Sequence, residues 1–273
     1  MSRPALVALS LMITTGCGRL ADLREKVAEL TNDFVAEGLV TGVVPPDDPA
    51  LAAALEGTEL GSGAVASLYL NTLGTTANFG APINDATVAA YGEGFDRAGL
   101  LGIGGGEYRA TGEDGLLYVS GSEIELMVDE PGGRHWLRGT LPMAPMLNLP
   151  DHLTPGAVLP INAEGQGFDG LLITVVSILT GEVTYSSEPS TVHELYDITR
   201  GEEGVLALDL PASAFPTEGA YGVGVAGLLA ADVDSFEDVN PALTNLLAGQ
   251  FHFKVICVAN DTALCEAPAV PTE

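Results

Sequence analysis

Apolar and polar positions along this chain fall into short runs with the two-residue period of a β-strand, punctuated by glycine, asparagine and aspartate. The clearest case is Glu123-Ile124-Glu125-Leu126-Met127-Val128, where carboxylates alternate with apolar side chains and define a wet and a dry face. Runs of similar length at 64–70, 86–91, 108–111, 116–119 and 135–140 complete a first series. Gly112-Glu113-Asp114-Gly115 and Pro131-Gly132-Gly133 separate them with turn chemistry. A second series occupies 171–178, 182–186, 205–210, 220–228 and 250–257. The first of these is almost continuously apolar, the pattern of a strand covered on both faces, and Thr180-Gly181 supplies the hairpin turn after it.

Between the two series, Pro142, Pro145, Pro150, Pro155 and Pro160 interrupt regular structure. Many short, evenly spaced strands predict a mainly β chain of two antiparallel β-sandwich domains, at 63–143 and 161–258, joined by a proline-rich linker at 144–160. A tail follows at 259–273. Ahead of the strands the period changes. Leu20, Leu23, Val27, Leu30 and Phe34 recur in steps of three and four, the stripe of a short helix. Val44-Pro45-Pro46-Asp47-Asp48-Pro49 ends that pattern as a linker, and a brief Ala/Leu turn occupies 50–55.

The extreme N-terminus is apolar in a different way. Arg3 precedes an apolar run from Ala5 to Ile13, about half the length needed to cross a bilayer but suited to a signal-peptide core. The run ends in Ile13-Thr14-Thr15-Gly16-Cys17, which resembles the bacterial lipobox, with Thr14 where leucine is usual. The resemblance implies removal of 1–16 and lipidation of Cys17, which would anchor a segment 17–62 and all that follows to a membrane. Gly18 in place of aspartate favours the outer membrane. Cleavage nearby by an ordinary signal peptidase, releasing a soluble periplasmic or secreted protein, is the alternative.

Charge narrows the partners. The net charge is −27, with lysine only at Lys26 and Lys254, so the surface repels nucleic acid and anionic lipid. The acids are scattered, as on a well-solvated surface, and would attract cations or a cationic partner. With 47% hydrophobic residues and 34 glycines, the chain carries enough apolar material for packed domains. Cys257 and Cys265 flank seven residues that include the turn signal Asn260-Asp261, and in an oxidising compartment they form a disulfide. Zinc does not fit, because His252 is the one further ligand type nearby.

Few constellations carry chemistry. Asp232, Asp234, Glu237 and Asp238 alternate oxygen ligands within a loop, as calcium requires, but lack the glycine and twelfth-position acid of an EF-hand. The competing reading is a helix start, with Asn240 as N-cap, Pro241 at the first position and Gly249 past the end. Gly102-Ile103-Gly104-Gly105-Gly106 lacks the Lys-Ser/Thr of a phosphate loop and reads as a hairpin turn. No Gly-x-Ser-x-Gly elbow or His-Glu-x-x-His occurs, and no cofactor other than calcium is called for, so the chain is expected to act without catalysis. Trp136, beside His135, is either a sugar-stacking platform or a core residue in mid-strand.

Gly106-x-Tyr108 and Phe215-Pro216-Thr217-Glu218-Gly219-x-Tyr221 place a tyrosine where a strand opens, so that its hydroxyl can tie down a loop. In these positions the chain resembles bacterial immunoglobulin-like domains. Its first half, with Ala86-Thr87-Val88, is also similar to carboxypeptidase-regulatory or transthyretin-type sandwiches. With its lipobox, Val44-Pro45-Pro46-Asp47 and Gly165-Gln166-Gly167-Phe168-Asp169, the whole resembles outer-membrane lipoproteins of myxobacteria. These likenesses imply a fold and an address, not an activity. The expectation is a lipid-anchored envelope protein acting as a binding, adhesion or scaffold module for an envelope protein or a glycan. Calcium or glycan binding in the periplasm or at the surface is the second expectation, and a secreted hydrolase the third.

Overall fold

The computed structural model describes residues 34–73, 79–189, 195, 198, 206–231, 236–237 and 244–265. The lipobox and the helical stripe before Phe34 lie outside them, as do Asp232, Asp234, Asp238 and the cap pair Asn240-Pro241. Among the described residues strand dominates, beside the short α-helix at Pro49–Glu56, and the strands form one large mixed sheet and one two-stranded sheet. Among the described residues no helix is long and apolar enough to cross a membrane.

The first strand, β1 (Phe34–Val43), corrects the expectation of helix and linker there. It lies at the centre of the large sheet, antiparallel to β2 (Ala64–Leu73) and parallel to the C-terminal β16 (Asn245–Val258), with Glu37 opposite Asn245. Phe34, the last position of the predicted helical stripe, opens this strand instead. β16 likewise overrides the expected helix ending at Ala248, because residues 245–248 pair with β1 and, from Leu247 on, also with β14 (Gly219–Ala230).

Beyond β2 the sheet continues through β6 (Glu107–Thr111) to β5 (Phe95–Gly104). β5 changes partners half-way. Residues 95–100 pair with β4 (Thr87–Gly92), while 101–104 pair with β6. That switch folds β4, β7 (Glu123–Glu130) and β8 (Gly133–Thr140) over β1, β2 and β6. The core between them holds Ala36, Val40, Leu68, Leu70 and Tyr108 from one side and Val88, Leu126, Val128 and Leu137 from the other. Residues 116–119, expected as a strand, are irregular. Leu116 is buried in this core, and the Tyr118 hydroxyl donates to the Pro142 carbonyl at 2.8 Å.

On the other side of β16 lie β14, β11 (Gly170–Ser177) and β12 (Val183–Ser186). The continuous apolar run in β11 is covered on both faces, as its pattern predicts. Leu171, Ile173 and Val175 meet β10 (Leu159–Asn162) and β13 (Ala207–Leu210), which pair as the small sheet. Thus the proline-rich connection contributes β9 (His152–Leu153), which runs parallel to the end of β16, and the start of β10. Leu172 and Val176 instead face the helix α1 (Pro49–Glu56), packed through Leu51, Ala54 and Leu55. That helix starts where Asp48 accepts from the amides of Ala50 and Leu51, both at 2.9 Å, with Pro49 in the first turn.

Both expected corner tyrosines tie down loops. The Tyr108 hydroxyl donates to Ile83 O (3.1 Å) and accepts from the Ala86 amide (3.0 Å). Tyr221 donates to Thr217 O (2.8 Å) and accepts from its amide (3.2 Å). The glycine hairpin between β5 and β6 needs left-handed backbone at Gly104, Gly105 and Gly106, which is why glycine recurs there. Cys257 and Cys265 are joined, with their Cα atoms 5.6 Å apart.

Candidate functional site

The alternation in β7 and β8 sorts their side chains strictly. Ile124, Leu126, Val128, His135 and Leu137 point into the first core region, where His135 stacks on Phe34 with ring centroids 3.8 Å apart. Trp136 therefore points outward, and it is half-buried rather than part of the core. Its neighbour His135 cannot share a platform with it, because consecutive strand residues face opposite sides.

The outer face nevertheless gathers a second aromatic residue. Register places Met127 of β7 directly across from Trp136, and Tyr91 of β4 across from Glu125. The Tyr91 and Trp136 rings lie 6.0 Å apart and are inclined by 44°. Both are only half-buried, so part of each ring is open to solvent.

Charged groups frame the pair and neutralise each other. Arg138 donates through Nε to Glu125 at 2.7 Å, and its guanidinium lies 5.8 Å from the Trp136 ring. Arg134 donates to Asp129 at 2.6 Å, and hydrogen bonding to that carboxylate raises its pKa further. Exposed ion pairs of this kind contribute little to stability. Their effect is to hold the guanidinium planes beside the rings, and the cation–π contact adds about 0.5–1 kcal/mol.

The acidic loop meets this face by its backbone. β15 (Phe236–Glu237) pairs with β8 and sets Glu237 opposite Trp136. Of the four carboxylates considered for calcium, Glu237 is the one whose backbone is described. Among the described residues no group of three or more His, Cys, Asp or Glu side chains converges in a way that could hold a metal ion.

A second polar feature lies on the face of β2 and β6 turned away from the first core. Arg109 forms an ion pair with Glu59 and stands 3.7 Å from Glu188, and the Tyr69 hydroxyl is hydrogen-bonded to Glu107. Sequence reasoning missed this cluster. Its members come from four separate segments, and no spacing rule connects them.

No protein-family model matches the chain, and no curated protein matches it. Among solved structures there is weak similarity to immunoglobulin-domain proteins. Extracellular domains 3–5 of Drosophila OTK align at 10% identity over 72% of this chain and 56% of theirs, with a TM-score of 0.18. Immunoglobulin domains 1–5 of Sidekick-1 align at 14% identity over 84% and 39%, with a TM-score of 0.19. The chain thus spans about half, or less, of the length of these structures. Similarity at that level assigns neither a fold family nor a function.

Proposed function

We propose that this protein is an exported, lipid-anchored component of the outer membrane that acts by binding, with the outer face of β4, β7 and β8 as its contact surface. In this reading the strands form two immunoglobulin-like sandwich units. The separate apolar clusters on either side of β16 and the tyrosine corner in each half support that division. Cys17 is the attachment point, and the disulfide at Cys257–Cys265 agrees with an oxidising compartment.

The observation that carries the binding reading is the pair Tyr91 and Trp136, left only half-buried on the outer sheet face beside the Arg138 guanidinium that Glu125 holds in place. An apolar aromatic surface framed by planar donors suits a ligand with both C–H faces and hydroxyl groups, that is, a sugar ring. Neutral sugars fit better than acidic ones. Arg134 and Arg138 are already neutralised by Asp129 and Glu125, and the chain as a whole carries −27. The ligand class is therefore a neutral glycan of the envelope or of a neighbouring surface.

Co-sedimentation of the purified protein with insoluble neutral polysaccharides (cellulose, chitin) tests the ligand, with Trp136→Ala and Tyr91→Ala as comparisons. Binding lost in both variants at unchanged melting temperature is the expected result. Equal retention of wild type and Trp136→Ala would overturn it. Placement is tested separately by expressing the full-length gene in a Gram-negative host with labelled palmitate. A soluble, unlabelled product would refute the anchor.

A further inference from the structure

The proline-rich connection carries a chemistry that the glycan reading does not use. Residues 141–150 form neither helix nor strand, yet over 142–147 exposure repeats every three residues. Pro142 and Pro145 are buried, Ala144 and Leu147 half-buried, and Met143 and Met146 exposed. That period belongs to an extended polyproline-type segment with one side seated on the protein and another turned to water. On the outer side stand two thioethers, with Met143 72% and Met146 85% exposed.

The bonds that fix this segment come from other groups. The Tyr118 hydroxyl donates to Pro142 O at 2.8 Å, and Gln250 Oε1 accepts from the Ala144 amide at 3.2 Å. Gln166 holds both backbone groups of Met146, accepting from its amide at 2.9 Å and donating to its carbonyl at 2.8 Å. Backbone contacts therefore set where the two methionines stand, and their side chains can change chemically without releasing the segment. Met127 is the contrast, 8% exposed and directly across from Trp136 in the sheet. Among the described residues these three are the methionines, and the two cysteines are joined to each other. Met143 and Met146 are thus the sulfur atoms there that an oxidant in water reaches first.

From this arrangement we infer that Met143 and Met146 are a reversible modification site, where hydrogen peroxide converts two thioethers into sulfoxides and the fold is kept. The sulfur lone pair takes one oxygen of the peroxide and the O–O bond breaks. The departing hydroxide picks up the proton of the transferred oxygen and leaves as water. Sulfur loses two electrons and the peroxide gains them, so each methionine consumes one peroxide. A sulfoxide is polar and chiral, and inside a core it disrupts packing. Here both sulfoxides stand in water, so the change is confined to the surface. Two thiols of a sulfoxide reductase reverse it, leaving a disulfide and water.

Peptide mapping of the full protein after timed exposure to hydrogen peroxide tests this, beside melting curves of the product. The expected result is one oxygen on each of Met143 and Met146, gained roughly tenfold or more faster than on Met127, at unchanged melting temperature. Methionine sulfoxide reductases of both epimer specificities should then remove both oxygens. The Met143→Leu/Met146→Leu double variant keeps side-chain volume and should melt as wild type before and after treatment, which separates an effect at the pair from damage elsewhere. Oxidation of Met127 as fast as of the exposed pair would overturn the inference. So would a lowered melting temperature that the double variant does not share, or sulfoxides that the reductases leave in place.

Discussion

Replacing Tyr221 by phenylalanine removes one oxygen and leaves the ring, which is 1% exposed and packed edge-on against Phe215 at 5.3 Å. The lost hydroxyl donates to Thr217 O at 2.8 Å and accepts from the Thr217 amide at 3.2 Å. It thus closes the loop that delivers the chain into β14. A net hydrogen bond contributes about 0.5–1.5 kcal/mol, more where the remaining partner is left dry. Thr217 is exposed, so water regains part of both interactions, and the expected cost is about 1–2 kcal/mol. For a chain of this size that lowers Tm by roughly 3–6 °C. Urea unfolding followed by far-UV circular dichroism measures it, with Tyr108→Phe as the counterpart in the other half. The hydroxyl of Tyr108 has the same two roles toward Ile83 and Ala86. The two losses should add to within about 0.5 kcal/mol, because the sites share no partner. A Tyr221→Phe midpoint equal to that of wild type would refute the reasoning, since it would mean water serves Thr217 as well as the phenol does.

Three further outcomes follow from the same structure. Reducing the Cys257–Cys265 bridge, whose partners are 8 residues apart, should cost about 2–3 kcal/mol by loop-closure entropy, read as a lower Tm in dithiothreitol that a Cys257→Ser/Cys265→Ser variant reproduces without reductant. Because the Glu188 carboxyl is raised, its contribution favours the fold below the ordinary value of 4.5 and is lost as pH rises through the raised one. Glu188→Gln should therefore flatten the fall of stability with pH above about 4.5, and an unchanged slope in pH-dependent melting would contradict the assignment. Gly42→Ala places a methyl 2.2 Å from Tyr118 Cγ, so Tyr118 must give up its place against β1, at an expected cost of about 1–3 kcal/mol in chemical denaturation.

How much of this was legible in the chain depends on whether the signal is local. The period-two segments at β7 and β8 announce themselves, because one wet and one dry face are written into consecutive residues. The Tyr221 corner and the cysteine pair are equally local, since each closes a loop of a few residues, whereas the Tyr108 hydroxyl reaches back to Ile83 and Ala86 across more than twenty. β1 was not legible. It is buried on nearly every side, so it lacks alternation, and its parallel partner lies some two hundred residues away at Asn245. The expected helix gave way to strand from Asn245 to Ala248 for a related reason. Helix propensity near residues 245–248 is a weak local preference, and the paired edges of β1 and β14 on either side outweigh it.

For the candidate sites the division is sharper. Sequence alone determined that Trp136 and His135 must face opposite sides of one strand, because side-chain direction alternates with every residue. It did not determine which of them is inside. That was decided when β5 switched partners and folded β8 over β1, burying His135 against Phe34 and leaving Trp136 beside Tyr91 on the outer face. The Arg109 cluster belongs wholly to the tertiary structure. Glu59, Glu107, Arg109 and Glu188 have no pattern in common along the chain, and only the joining of the two strand series through β1 and β16 brings their charges together.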